Sequence, residues 1–87
     1  MNSKNRKTFE QIFASPVPKN IEWRKIEGLF VSIGCELIEG NGSRVAFRYG
    51  EMRADFHRPH PNKEAKPYQV RAAREFLILI GYDDEES

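Results

Sequence analysis

Between Cys35 and His57 the chain reads CELIEGNGSRVAFRYGEMRADFH, and this stretch decides the fold. Apolar and polar residues alternate with a period of two, the pattern of strands with one face buried and one wet. Asn41-Gly42 and Gly50-Glu51 interrupt it where hairpin turns belong, since Gly, and Asn more than most residues, tolerate positive φ. The pattern predicts three antiparallel strands, CELIEG, SRVAFRY and MRADFH, joined as a meander. Alternation places Cys35, Leu37, Val45, Phe47, Tyr49, Met52, Ala54 and Phe56 on one face. Glu36, Ile38, Arg44, Ala46, Arg48, Arg53, Asp55 and His57 fall on the other. The first face needs covering, while the second stays available to a partner.

Helical periodicity flanks the strands and supplies the cover. Trp23, Ile26, Leu29, Phe30 and Ile33 form an apolar stripe in a helix expected to open at Asn20 and to end at Gly34, a left-handed cap. Downstream, Pro59 and Pro61 end the third strand, and Pro67 suits the first turn of a last helix, where its missing N–H costs nothing. Val70, Ala73, Phe76, Leu77 and Ile80 are its core stripe, closed by Gly81. Ile78 and Leu79 fall off that stripe and need cover, from Phe9, Ile12 and Phe13 of the N-terminal segment or from another protein. That segment, KNRKTFEQIFA, reads as a short helix with Ser3 as its cap, stopped by Pro16 and Pro18. Three parts are expected: helix and proline connection over residues 1–19, the helix, strands and helix over 20–81, and an acidic, solvated tail over 82–87.

Composition limits the alternatives. Eighty-seven residues suit a single domain near the lower size at which one core suffices. Cys35 is the only cysteine, so neither an internal disulfide nor a cysteine-based zinc cluster is expected. No apolar run approaches a membrane span, and MNSKNRKTFE lacks the apolar segment of a secretory signal. A cytoplasmic protein with no membrane association is the expectation. The formal charge of +1 hides an asymmetry: Asp83, Asp84, Glu85 and Glu86 carry four of the thirteen acids, leaving +5 on Met1–Tyr82. From Arg44 to Arg74 there are eight basic residues against three acids, a local excess that attracts anions.

Chemistry concentrates in FHRPHPNKEAKPYQVR, Phe56 to Arg71. Both histidines, His57 and His60, lie there among Arg58, Lys63, Lys66 and Arg71, where a strand end feeds a helix start. Rigid elements on both sides hold such a junction while it remains exposed.

The order helix, three strands, helix resembles the double-stranded-RNA-binding topology. The hairpin GNGSRVAF and above all HPNKEAKPYQVRAAREFLILIG resemble the HicA family of bacterial toxins, over Trp23 to Gly81. The fold implied is α+β: a three-stranded antiparallel sheet covered on one face by two helices, here with an extra N-terminal helix. The resemblance further implies an mRNA endonuclease, working without metal or other cofactor and neutralised by a HicB-like antitoxin. In that family a Gly-Ser-His hairpin supplies a catalytic histidine; the position after Gly42-Ser43 is Arg44 in this chain. Arg44 can stabilise charge on a transferring phosphoryl group but, already protonated at pH 7, cannot serve as the general base.

Metal-free RNA cleavage needs a base for the 2′-hydroxyl, an acid for the departing 5′-oxygen and cations around the phosphorane. His57 and His60 are the catalytic candidates, imidazole suiting either proton role. Asp55, two residues before His57 on the same face, is the candidate to orient its ring. Arg48, Arg53, Arg58, Lys63, Lys66 and Arg71 are expected on RNA phosphates, with Tyr68 as a stacking residue. His57 and His60 lack a third ligand for a metal. Two other readings remain: an RNA-binding domain without catalysis, and a protein-interaction domain that docks an antitoxin-like partner.

Overall fold

A computed structural model of the protein describes residues 1–82. The elements run α1 (Ser3–Ile12), α2 (Trp23–Ser32), β1 (Glu36–Glu39), β2 (Arg44–Tyr49), β3 (Met52–His57) and α3 (Pro67–Leu79). The strands form one antiparallel sheet in the order β1-β2-β3, the predicted meander, with helices covering one face. No described helix is long and apolar enough to cross a membrane. The reading of the last residues as a solvated tail lies outside the described residues from Asp83 onward.

Register accounts for the two faces. Val45 pairs with Phe56 and Phe47 with Ala54, while Arg44 pairs with His57, Ala46 with Asp55 and Arg48 with Arg53. Phe47 and Phe56 therefore point toward the helices, where Phe30 meets Phe47 edge-on at 4.8 Å and Trp23 packs on Phe56 at 5.2 Å. Aromatic pairs at these separations add attraction beyond their buried area. Ile12, Ile26, Leu29, Val70, Ala73 and Leu77 complete a core that excludes solvent from their side chains. Met52 belongs to the inward side by register yet is 42% exposed; it sits opposite Tyr49 at the turn end of the hairpin. On the wet side Ala46 is nevertheless buried: its methyl lies below its taller cross-strand neighbours Ile38 and Asp55.

Helix boundaries differ from expectation in instructive ways. Asn2, not Ser3, caps α1, its side-chain oxygen accepting the Asn5 N–H at 2.8 Å; Asn and Ser are equally good caps, and only Asn2 lies one residue outside the helix. The second helix starts at Trp23 rather than Asn20 because the chain before it is extended. Ile21 C=O accepts the Ala65 N–H at 2.7 Å and the Trp23 N–H donates to Lys63 C=O at 2.9 Å, around a bridge between Glu22 and Glu64. Gly34 and Gly81 take the predicted left-handed conformation, with φ of 108° and 103°, and each lets the next residue's N–H reach back to a helix carbonyl.

The extra helix is docked on α2 and α3. Phe9 and Ile12 enter the common core, and Arg74 of α3 donates to the C=O of Ile12 at 2.9 Å and of Ala14 at 3.0 Å. The Arg74 guanidinium also lies over the Phe13 ring, 5.9 Å from its centre. With those side chains committed there, they do not shield Ile78 and Leu79, which are 48% and 57% exposed. The expectation that Phe9, Ile12 and Phe13 cover them is corrected.

Candidate functional site

The hairpin loop and the last helix meet at the end of β3. Gly42, with φ of 62°, lets the loop Asn41–Ser43 turn back tightly, and the register then sets Arg44 opposite His57. One step further, the Arg58 N–H donates to Ser43 C=O at 2.8 Å, which fixes the loop beside the strand end. Ser43 Oγ consequently lies 3.4 Å from His57 Nδ1, a long contact open to either ring tautomer. From the other side, buried Gln69 of α3 donates from Nε2 to His57 C=O at 2.6 Å. Its Oε1 accepts the Lys66 N–H at 2.9 Å, satisfying one of the unpaired donors at the start of the helix. The backbone at His57 and Arg58 is thus held from two elements while the His57 ring remains exposed.

Around that ring the predicted residues divide by their partners. Arg44 makes no ion pair among the described residues, so its charge is free. Asp55 does not orient His57; it accepts from Arg53 at 3.1 Å, and Ser43 takes the place beside the ring nitrogen. Arg48 pairs with Glu36. Both pairs are more than half exposed and are worth at most about 1 kcal/mol each, so an incoming phosphate can exchange with either carboxylate. A pocket of about 250 Å³ lies on this face, with Ala46 among its lining residues beside Ile38, Arg44, Arg53 and Asp55.

Arg58, expected on phosphate, has a different role. Its guanidinium donates to Glu39 at 2.8 and 3.0 Å and to Glu27 at 2.6 Å, and Glu27 also accepts the Trp23 indole N–H. These hydrogen bonds, that to Glu39 first, hold Arg58 above its ordinary pKa. The same bond holds the Glu39 carboxyl below the usual carboxylate range. Neutralised by two carboxylates, Arg58 clamps β1, α2 and the end of β3 together.

His60 is exposed on the loop after β3, without a hydrogen-bonded partner among the described residues, His57 included. Lys63 sits 3.9 Å from Glu22, its backbone held in the bridge to the start of α2. Lys66, Tyr68 and Arg71 line the exposed side of the first turns of α3, with Tyr68 58% exposed. Among the described residues no three His, Cys, Asp or Glu side chains assemble into a metal-holding set. Cys35 is buried, which pushes its thiol up to about 11 and leaves it unsuited to nucleophilic work.

Two residues of the site escaped the sequence reading. Ser43 was visible only as part of a turn, although the loop length and the strand register together place it at the end of the third strand. Gln69 had a local signal in the third position of a helix beginning at Pro67, where a side-chain amide reaches back to the preceding backbone N–H.

A family model described as the HicA toxin of bacterial toxin-antitoxin matches residues 23–78, from the start of α2 to near the end of α3, with α1 outside. No curated protein and no solved structure matches the chain.

Proposed function

Because the chain belongs to the HicA family of bacterial toxin–antitoxin toxins, we propose that it is a cytoplasmic mRNA endonuclease, working without a metal and held silent by a HicB-like antitoxin. The observation that carries the reading is the cross-strand pair of Arg44 and His57. The family's hairpin histidine is replaced by a cation, yet an imidazole stands opposite it on the neighbouring strand, beside the Ser43 hydroxyl.

In this reading His57 takes the proton of the 2′-hydroxyl as that oxygen attacks the adjacent phosphorus. The bond to the 5′-oxygen breaks and leaves a cyclic phosphate, and the departing oxygen receives a proton from an acid, for which His60 is the candidate. Arg44 stabilises the charge on the pentacoordinate phosphorus, and its fork of donors suits phosphate oxygens. Arg48, Arg53, Lys63, Lys66 and Arg71 draw in the backbone without selecting sequence, and Tyr68 offers a face for one base. The uncovered side chains of Tyr68, Ile78 and Leu79 support a protein partner along α3, as expected for an antitoxin.

Incubation of the antitoxin-free protein with mRNA in EDTA tests this. Cleavage by the unmodified chain is expected, with His57→Ala slower by about 10²–10⁴-fold and Arg44→Ala by about 10²–10³-fold, both variants folded. Intact RNA that the protein nevertheless binds would overturn catalysis in favour of the RNA-binding reading, which the arginine at the family's histidine position favours.

A further inference from the structure

Opposite the wet face of the sheet, the helices form a second basic surface. A groove of about 500 Å³ runs between α1 and α2, lined by Lys4, Lys7 and Thr8 of the first helix and Arg24, Lys25 and Gly28 of the second. Asn5 and Gln11 complete the lining, which therefore contains four cations, no acid and no apolar side chain. Lys4, Lys7 with Thr8, and Gln11 recur at the three- to four-residue spacing that puts them on one side of a helix. Among the described residues Lys4, Lys7 and Lys25 have no ion pair, and Arg24 has only Glu22, at 2.7 Å and with its own side chain 82% exposed.

Gly28 is the second, independent feature. Glycine inside a helix costs about 1 kcal/mol relative to alanine, and no packing reason offsets that cost at this position. A Cβ built there meets nothing within 4 Å, and its φ is not positive. With no side chain there, the backbone of α2 at Gly28 is open to close approach by a ligand.

We propose that this groove is a second nucleic-acid site, which grips the sugar–phosphate backbone on the helical side of the protein. The ligand class rests on the RNA reading above, while its place comes from the helices alone. Lysines on flexible stems around a groove with no acid in its lining suit a chain of phosphates. A protein partner would call for aromatic or aliphatic anchors and would disfavour lysine, and the groove has four cations and no anchor. The site depends on α1, which lies outside the family-matched residues. A strand held at both surfaces binds more tightly than at either alone.

The test is binding of the full chain, followed by fluorescence anisotropy across a salt series. The probes are a 2′-O-methylated single-stranded RNA, which lacks the hydroxyl needed for cleavage, and a DNA duplex of equal length. Replacing Lys4, Lys7 and Lys25 together by Gln is expected to reduce the slope of log K against log salt on the RNA by about 2, at about 0.7 per lost phosphate contact. Gly28→Leu, which keeps every cation, is expected to weaken binding several-fold at fixed salt. Circular dichroism confirms that both variants fold. Loss on the duplex alone would identify DNA as the source of the phosphates at the same site. Unchanged slope and affinity on both probes in both variants would overturn the proposal. Failure of the cleavage reading is separable, because it is read on unmodified RNA and leaves these binding curves untouched.

Discussion

Replacing Gln69 by Met keeps the length of the side chain and removes both of its hydrogen bonds, those to His57 C=O and to the Lys66 N–H. Each bond is worth about 1 kcal/mol net, and a backbone group left unpaired adds about 1–3 kcal/mol where water cannot reach it. Lys66 is exposed, so water can replace the amide at its N–H. The His57 carbonyl faces a side chain only 2% exposed, and water has poorer access there. The more apolar methionine returns part of the loss, at about 0.8 kcal/mol per methylene equivalent. The net expectation is about 2–3 kcal/mol of destabilisation. In a domain of this size, 1 kcal/mol moves the thermal midpoint by about 4–8 °C, so the midpoint should fall by about 10–20 °C in a circular dichroism melt. Cleavage by the folded variant at low temperature should also drop, since the His57 backbone loses its tether to α3. A midpoint within about 2 °C of the unmodified protein would refute the bridge as a structural element.

Other perturbations give equally definite readouts. Gly28→Ala should stabilise the chain by about 0.5–1 kcal/mol, read as a higher urea midpoint with an unchanged slope, because the added methyl meets no atom. Arg58→Ala removes the clamp between Glu27 and Glu39 and should cost about 2 kcal/mol in the same assay. Arg58→Lys should recover less than half of that, since one ammonium cannot fork to two carboxylates. Glu39 has its pKa lowered from 4.5 by the bond to Arg58; the unfolded chain therefore binds the proton more readily. Its contribution is full above about pH 4.5 and is lost as pH falls through the lower folded value. In Glu39→Gln the melting temperature should fall less steeply with acid in that window. Cys35 should resist alkylation at pH 8 in the native protein and react once unfolded, as its burial and its raised pKa of about 11 require.

The strands were legible because alternation and turn residues agree locally. Val45, Phe47 and Phe56 declare an inward face, and glycines mark both bends. The course of residues 20–22 was hidden, because the bridge that keeps them extended is made with residues 63–65, more than forty positions away in the chain. Asp55 illustrates the same limit within the site. Spacing places it on one face with both Arg53 and His57, and only geometry chooses between them. Arg58 counts as surface charge in any composition, yet two carboxylates from distant elements claim it. The basic groove was overlooked because its cations come from two separate helices that only the fold brings side by side.

The two bonds from Arg74 to the end of α1 bear on how the protein comes apart. A terminal helix of ten residues would be marginal in isolation and would ordinarily fray first, its amides exchanging with solvent long before the rest. Here the carbonyls of Ile12 and Ala14 are held by a side chain from the middle of α3, and Phe9 and Ile12 lie in the shared core. Releasing α1 therefore requires opening the interior. Native-state hydrogen exchange should show the second half of α1 protected almost as long as α2 and α3, in one cooperative unit. Residues 23–78 alone would carry a raw apolar flank where that helix had been.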